Sequence, residues 1–93
     1  MIAKWKNQII AESDETIEIE GNQYFPPDSV NQEFLSKSNM RSTCPWKGEA
    51  YYYDIVVNDN RNSDAAWYYP EPSLAANEIK NYVAFWNGVE ISQ

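Results

Sequence analysis

The sequence predicts a compact, mainly β, antiparallel fold carrying two short helices, as a single domain over residues 1–93. Three observations predict it. Alternating segments and segments rich in β-branched and aromatic residues recur at short intervals along the chain. Turn residues separate them, and Asn87-Gly88 is the strongest hairpin signal. Fourteen aromatic residues among 93 supply apolar area that so small a chain otherwise lacks, since each ring side chain buries on the order of 150–250 Å².

In chain order, residues 2–6 and 8–12 read as two strands around a tight turn at Lys6-Asn7, with Trp5, Ile9 and Ile10 as apolar cover. Residues 16–20 alternate strictly, with Ile17 and Ile19 inward, which describes a half-exposed strand. The acids Asp14, Glu15, Glu18 and Glu20 are expected to form a solvated face, because carboxylates belong in water unless paired. Gly21-Asn22 breaks that strand, and residues 24–27 carry the chain away in extended form. Residues 28–35 have helix-start chemistry. Two prolines precede them, Asp28 or Ser29 can cap, and Val30 and Phe34 would share one apolar face. Residues 36–43 are polar and read as an irregular surface loop able to lie over a site.

Residues 44–57 are the stretch the remainder is arranged around. A turn marked by Pro45 and Gly48 opens into a strand with Tyr51, Tyr53, Ile55 and Val57 on one face. Ala50, Tyr52, Asp54 and Val56 lie on the other, so both faces are expected to be covered. Residues 58–61 form a turn by composition, and residues 64–69 return as a second aromatic strand. Hairpin pairing would bring Tyr52 near Trp67 and Asp54 near Ala65. Residues 73–80 read as a short helix capped by Ser73, with Leu74, Ala75 and Ile79 as its apolar face. Residues 82–86 and 89–91 flank the Asn87-Gly88 turn, and a faint likeness between residues 3–7 and 84–88 points to pairing of the two terminal segments.

Fourteen acids against seven bases give a formal charge of −7. Such a surface repels phosphate backbones and anionic lipid head groups, so no nucleic-acid or membrane partner is expected. One cysteine and no histidine exclude an intramolecular disulfide, a Cys/His zinc site and nucleophiles activated by histidine. No carboxylate loop of the calcium-binding kind occurs, and neither a metal nor a cofactor is expected. The sequence has no apolar signal core and no run near the ~20 residues of a membrane helix, so the expected address is the cytoplasm. The expected state is a monomer or weak homodimer.

Four strings occur in order: residues 22–26 (NQYFP), 43–48 (TCPWKG), 65–72 (AAWYYPEP) and 83–86 (VAFW). Together they resemble the bacterial domain-of-unknown-function family number 427, also described as nucleotidyltransferase-like, and the likeness covers nearly the whole chain. The resemblance implies a β-tent architecture, shared with zinc-bearing methionine sulfoxide reductases and the thalidomide-binding domain of cereblon. The zinc cysteines of those relatives have no counterpart here. The family often has His where this chain has Gln23, so histidine chemistry at that position is absent. Transferase chemistry finds no matching residues either, because no Gly-rich phosphate loop or two-metal carboxylate pair is present.

The candidate site lies beside the Cys44–Gly48 turn. Trp46, Trp67 and Tyr69 are expected as aromatic walls, with Tyr24 and Tyr52 beside them, Asp54 as an acceptor and Lys47 as an orienting cation. The bland alternative is that these rings simply fill the core. Cys44 is a candidate nucleophile, its thiolate favoured by Lys47, or else a small buried hydrophobe. Lys47 and Asp54 form either an acid–base couple or a structural ion pair. The expected function is binding of a small organic molecule or a protein segment in an aromatic-walled pocket. Two other classes stay open: a small enzyme using Cys44 or the Lys47–Asp54 couple, and an interaction module pairing through exposed strand edges.

Overall fold

The aromatic hairpin forms the middle of the molecule. In the computed structural model, which describes residues 1–93, β5 (Leu35–Cys44), β6 (Gly48–Val57), β7 (Asn60–Tyr68) and β8 (Val83–Phe85) make a four-stranded antiparallel sheet in that order. A second sheet runs β2 (Gln8–Glu12), β1 (Ile2–Trp5), β9 (Glu90–Ser92), and β3 (Ile17–Ile19) pairs with β4 (Asn22–Tyr24) as a hairpin. The expected mainly β, antiparallel class is therefore what the chain adopts. The first and last strands pair, Ile2 opposite Ser92 and Lys4 opposite Glu90.

Two buried clusters cover opposite faces of the large sheet, as the pattern of residues 50–57 requires. Ile55, Val57, Ala66 and Phe85 pack with Ala3, Ile10 and Phe25, and Tyr53 and Tyr68 border them. On the other face Ala50, Tyr69 and Ala84 pack with Tyr24, Ala76 and Ile79, bordered by Tyr52 and Trp67. Fully burying an aliphatic side chain such as Ile55 or Val57 stabilises by roughly 1.5–3 kcal/mol, so a two-sided strand contributes twice over to a small fold.

Several expectations change. The polar stretch 36–43 is not a loop but the body of β5, a sheet edge. Its backbone pairs with β6 while its polar side chains face water, so low hydrophobicity does not prevent strand formation. The two helices are 3-10 segments. The first is split into Pro27–Ser29 and Gln32–Phe34, because Val30 is extended and bridges Ala11 instead of sharing a helical face with Phe34. The second, Leu74–Ile79, kinks at Ala76 and turns Ala76 and Ile79 inward, leaving Leu74 exposed. Ser73 does not cap it; its hydroxyl donates to the Trp46 carbonyl. Gly21, with Glu20 at φ 55°, breaks the strand as expected, but the chain then pairs back on β3 as β4 before Phe25 bridges Val83. The Asn87-Gly88 turn forms, yet its flanking strands join different sheets.

The β6–β7 register sets Tyr52 opposite Trp67, as expected. It then shifts: Tyr53 faces Ala66 while Ile55 faces Asn62, so Asp54 alone opposes the three residues Ser63, Asp64 and Ala65. The bulge places Asp64 at φ 57°. Asp54 thus has no single partner residue on β7, and its carboxylate accepts from the Asp64 N–H inside the bulge.

Candidate functional site

On one face of the large sheet, alternation along three neighbouring strands produces paired large and small side chains. Ala50 and Tyr52 lie on β6, Trp67 and then Tyr69 on and just beyond β7, and Ala84 and Trp86 on and just beyond β8. Ala84 stands opposite Trp67 and leaves space above it. The β3–β4 hairpin closes one side. Phe25 N donates to the Val83 carbonyl at 2.8 Å and Val83 N to the Phe25 carbonyl at 2.9 Å, which brings Tyr24 to Trp67.

The result is an open cleft of about 290 Å³, lined by Tyr24, Tyr52, Trp67, Tyr69 and Trp86 together with Asn22 and Lys47. Tyr24 and Tyr69 are buried and form the floor, while Tyr52 and Trp67 are half-buried and Trp86 is 53% exposed. The rings brace one another. Tyr24 meets Trp67 edge to face at 6.3 Å, and Tyr52 is tilted against Trp67 at 6.4 Å. Such pairs contribute about 0.5–1.5 kcal/mol each beyond area burial. Trp67 Nε1 donates to Tyr24 Oη at 3.3 Å and Trp86 Nε1 to the Asp64 carbonyl at 2.6 Å. Both indole N–H groups are therefore engaged, and Tyr52 Oη shares a hydrogen bond with Ser42 Oγ at 2.9 Å.

Lys47 reaches the cleft from the turn after β5. Gly48 makes that possible at φ 117°: a Cβ there would lie 3.3 Å from the Glu71 carbonyl oxygen. Ser73 N donates to the Lys47 carbonyl at 2.9 Å and clamps the same turn. Lys47 itself is only 4% exposed. Its ammonium is paired with Glu20 and lies over the Trp46 ring at 4.7 Å and near the Tyr69 ring at 5.9 Å.

Burial is the largest influence on Lys47 and acts to lower its pKa, but the Glu20 hydrogen bond together with Tyr24 and Cys44 outweighs it and the net shift is upward. Glu20 is shifted downward by the same bond. The Tyr24 and Tyr69 phenols are pushed up, chiefly by burial, and stay neutral as hydrogen-bonding groups. Cys44, of intermediate exposure, borders the cluster under the cleft without lining it. Burial raises its thiol pKa, but the backbone N–H groups of Trp46 and Lys47 and the Lys47 ammonium outweigh that and lower it.

Of the residues singled out in the sequence, Tyr24, Lys47, Tyr52, Trp67 and Tyr69 come together around this cleft. Trp46 and Asp54 do not. Trp46 covers the Lys47 ammonium instead of walling the cleft. Asp54 accepts from Arg61 Nη1 at 2.6 Å and from Asp64 N at 2.9 Å, holding the bulge. There is no Lys47–Asp54 couple: Lys47 pairs with Glu20, and Asp54 with Arg61. Glu20, Asn22 and Trp86 were not identified from the sequence. Glu20 looked like one more solvated acid, and its partner lies 27 residues away. Trp86 follows Ala84 by two positions, a signal that becomes readable only once β8 is known to lie beside β7.

No group of three or more His, Cys, Asp or Glu side chains is placed to hold a metal ion, and no helix is long and apolar enough to cross a membrane. Fold and site together define a small antiparallel β protein with an aromatic cleft and a single buried ammonium in its wall. The model of the family described as Domain of unknown function (DUF427) matches residues 1–92, and the chain belongs to that family. The likeness carried by the four motifs thus extends over almost the whole chain. None of the curated proteins matches it.

Proposed function

We propose that the protein binds a small planar organic molecule in the aromatic cleft. The observation that supports this reading is the open space itself: rings serving only as core would close on one another, yet about 290 Å³ is left between them. That volume lies at the lower edge of ligand pockets and suits a ring system of one or two cycles, not a protein segment. Because the indole N–H groups are already bonded, Trp67 and Trp86 offer their ring faces, which favours stacking over hydrogen bonding at those walls.

Native mass spectrometry of freshly purified protein, followed by NMR titration with planar aromatics, tests the reading. The expected result is a co-purified small molecule or selective shifts of the Trp67 and Trp86 indole signals, both lost in Trp67→Ala. Shifts confined to Trp5 and Trp46, with the two cleft indoles unmoved, would remove the cleft from consideration.

A further inference from the structure

We infer that the cleft selects a planar molecule bearing a carboxylate, and that Lys47 holds the carboxylate while the rings hold the plane. This rests on the cleft being a ligand site. Of the residues that line it, Lys47 is the only one with a formal charge. Its counter-ion Glu20 lies outside the lining, 56% exposed by side chain, at the tip of the β3–β4 hairpin. The one formal charge in the lining is therefore an ammonium, paired with a carboxylate outside the lining, although the chain as a whole carries −7.

The donors converge in the same sense. An ammonium has three N–H groups; Glu20 accepts from Lys47 Nζ, and the Cys44 sulfur lies within reach of a second. The ammonium also lies over the Trp46 ring, outside the cleft, and near the Tyr69 ring, which is on the cleft side. Tyr24 and Tyr69 add phenol hydroxyls, and Asn22 adds an amide. No carboxylate lines the cleft to receive a cation or a donor-rich ligand. A cationic guest would gain ring-face attraction of about 0.5–2 kcal/mol but would sit against a desolvated ammonium, where like charge costs more. An oxyanion gains a charge-assisted hydrogen bond in a partly dry setting, the stronger kind. Long-range repulsion from the acidic surface is screened over about 8 Å at physiological salt, so the contact inside the cleft decides.

Calorimetric titration with 2-naphthoate and its uncharged amide, 2-naphthamide, separates the possibilities. The two share ring and shape and differ in charge. The expected result is 2-naphthoate binding at least about tenfold tighter than the amide, with Lys47→Met bringing the acid down to the amide's affinity and leaving the amide within about twofold. Equal affinities, or a tighter amide, in the unaltered protein overturn the carboxylate inference and leave the aromatic cleft standing. Binding of neither probe overturns both. The wild-type comparison decides even where Lys47→Met is poorly folded.

Discussion

Asp54 shows what one side chain reveals and conceals. A carboxylate interrupting an aromatic strand marks itself for scrutiny in the sequence, because burying it requires partners. Which partners could not be read, since they depend on a bulge in which three residues of β7 oppose one of β6. Asp54 accepts from Asp64 N, and the Asp64 carbonyl in turn accepts from Trp86 Nε1, so this carboxylate steadies a cleft ring at one remove. Asp54→Asn keeps an oxygen for the Asp64 N–H and loses the charge facing Arg61, whose side chain is 54% exposed. An exposed ion pair is worth about 0–1 kcal/mol, so the expected loss is near the top of that range at most. Asp54→Ala strands the N–H and should cost about 1–3 kcal/mol, with displacement of the Trp86 indole signal. Equal melting losses in the two variants would place the effect in the charge instead.

Among the elements, strands announced by alternation or by aromatic runs were legible, and segments defined by their neighbours were not. β5 is invisible as a strand because an edge needs only backbone pairing with β6. The 28–35 helix fails because Val30 is drawn into a bridge with Ala11, a tertiary contact that overrides cap chemistry. Gly48 was readable as a turn residue needing positive φ, and the structure gives it a second constraint, the Glu71 carbonyl oxygen. Gly48→Ala should cost more than the about 1–2 kcal/mol of a left-handed backbone alone. Gly21 is the internal control: it too has positive φ, 82°, but a Cβ there meets nothing within 4 Å. Gly21→Ala should therefore show the backbone strain by itself. Melting of both variants checks this, and the larger loss, with altered ring signals in the cleft, is expected at Gly48. Equal losses would mean that the close approach relaxes freely.

At the scale of the whole molecule, the aromatic cleft lies on one face of a sheet whose other face is filled by Ile55, Val57 and Phe85. The sheet is therefore anchored from behind while one side opens to solvent. The Lys47–Glu20 pair ties the β3–β4 hairpin to the turn after β5, beside the cleft. Its stability contribution has a sign at each end of the pH scale. Lys47 holds the folded Glu20 carboxyl below its unfolded value of about 4.3. As pH falls through that interval the unfolded chain takes up the proton first, so the contribution is lost toward acid. Lys47, despite burial, is held above its unfolded value of about 10.4 by Glu20 together with Tyr24 and Cys44. As pH rises past that value the unfolded chain releases its proton first, and the contribution is lost toward alkali. Other carboxylates titrate too, and the approach to the isoelectric region near 4.3 relieves general repulsion, so the raw melting curve mixes effects. The difference between the wild type and Glu20→Gln isolates the pair. The gap in melting temperature should be flat from about pH 6 to 9, narrow toward acid as Glu20 is neutralised, and narrow again in strong alkali. A gap that persists unchanged well below pH 4 would assign the variant's loss to the shape of the hairpin tip and not to its charge.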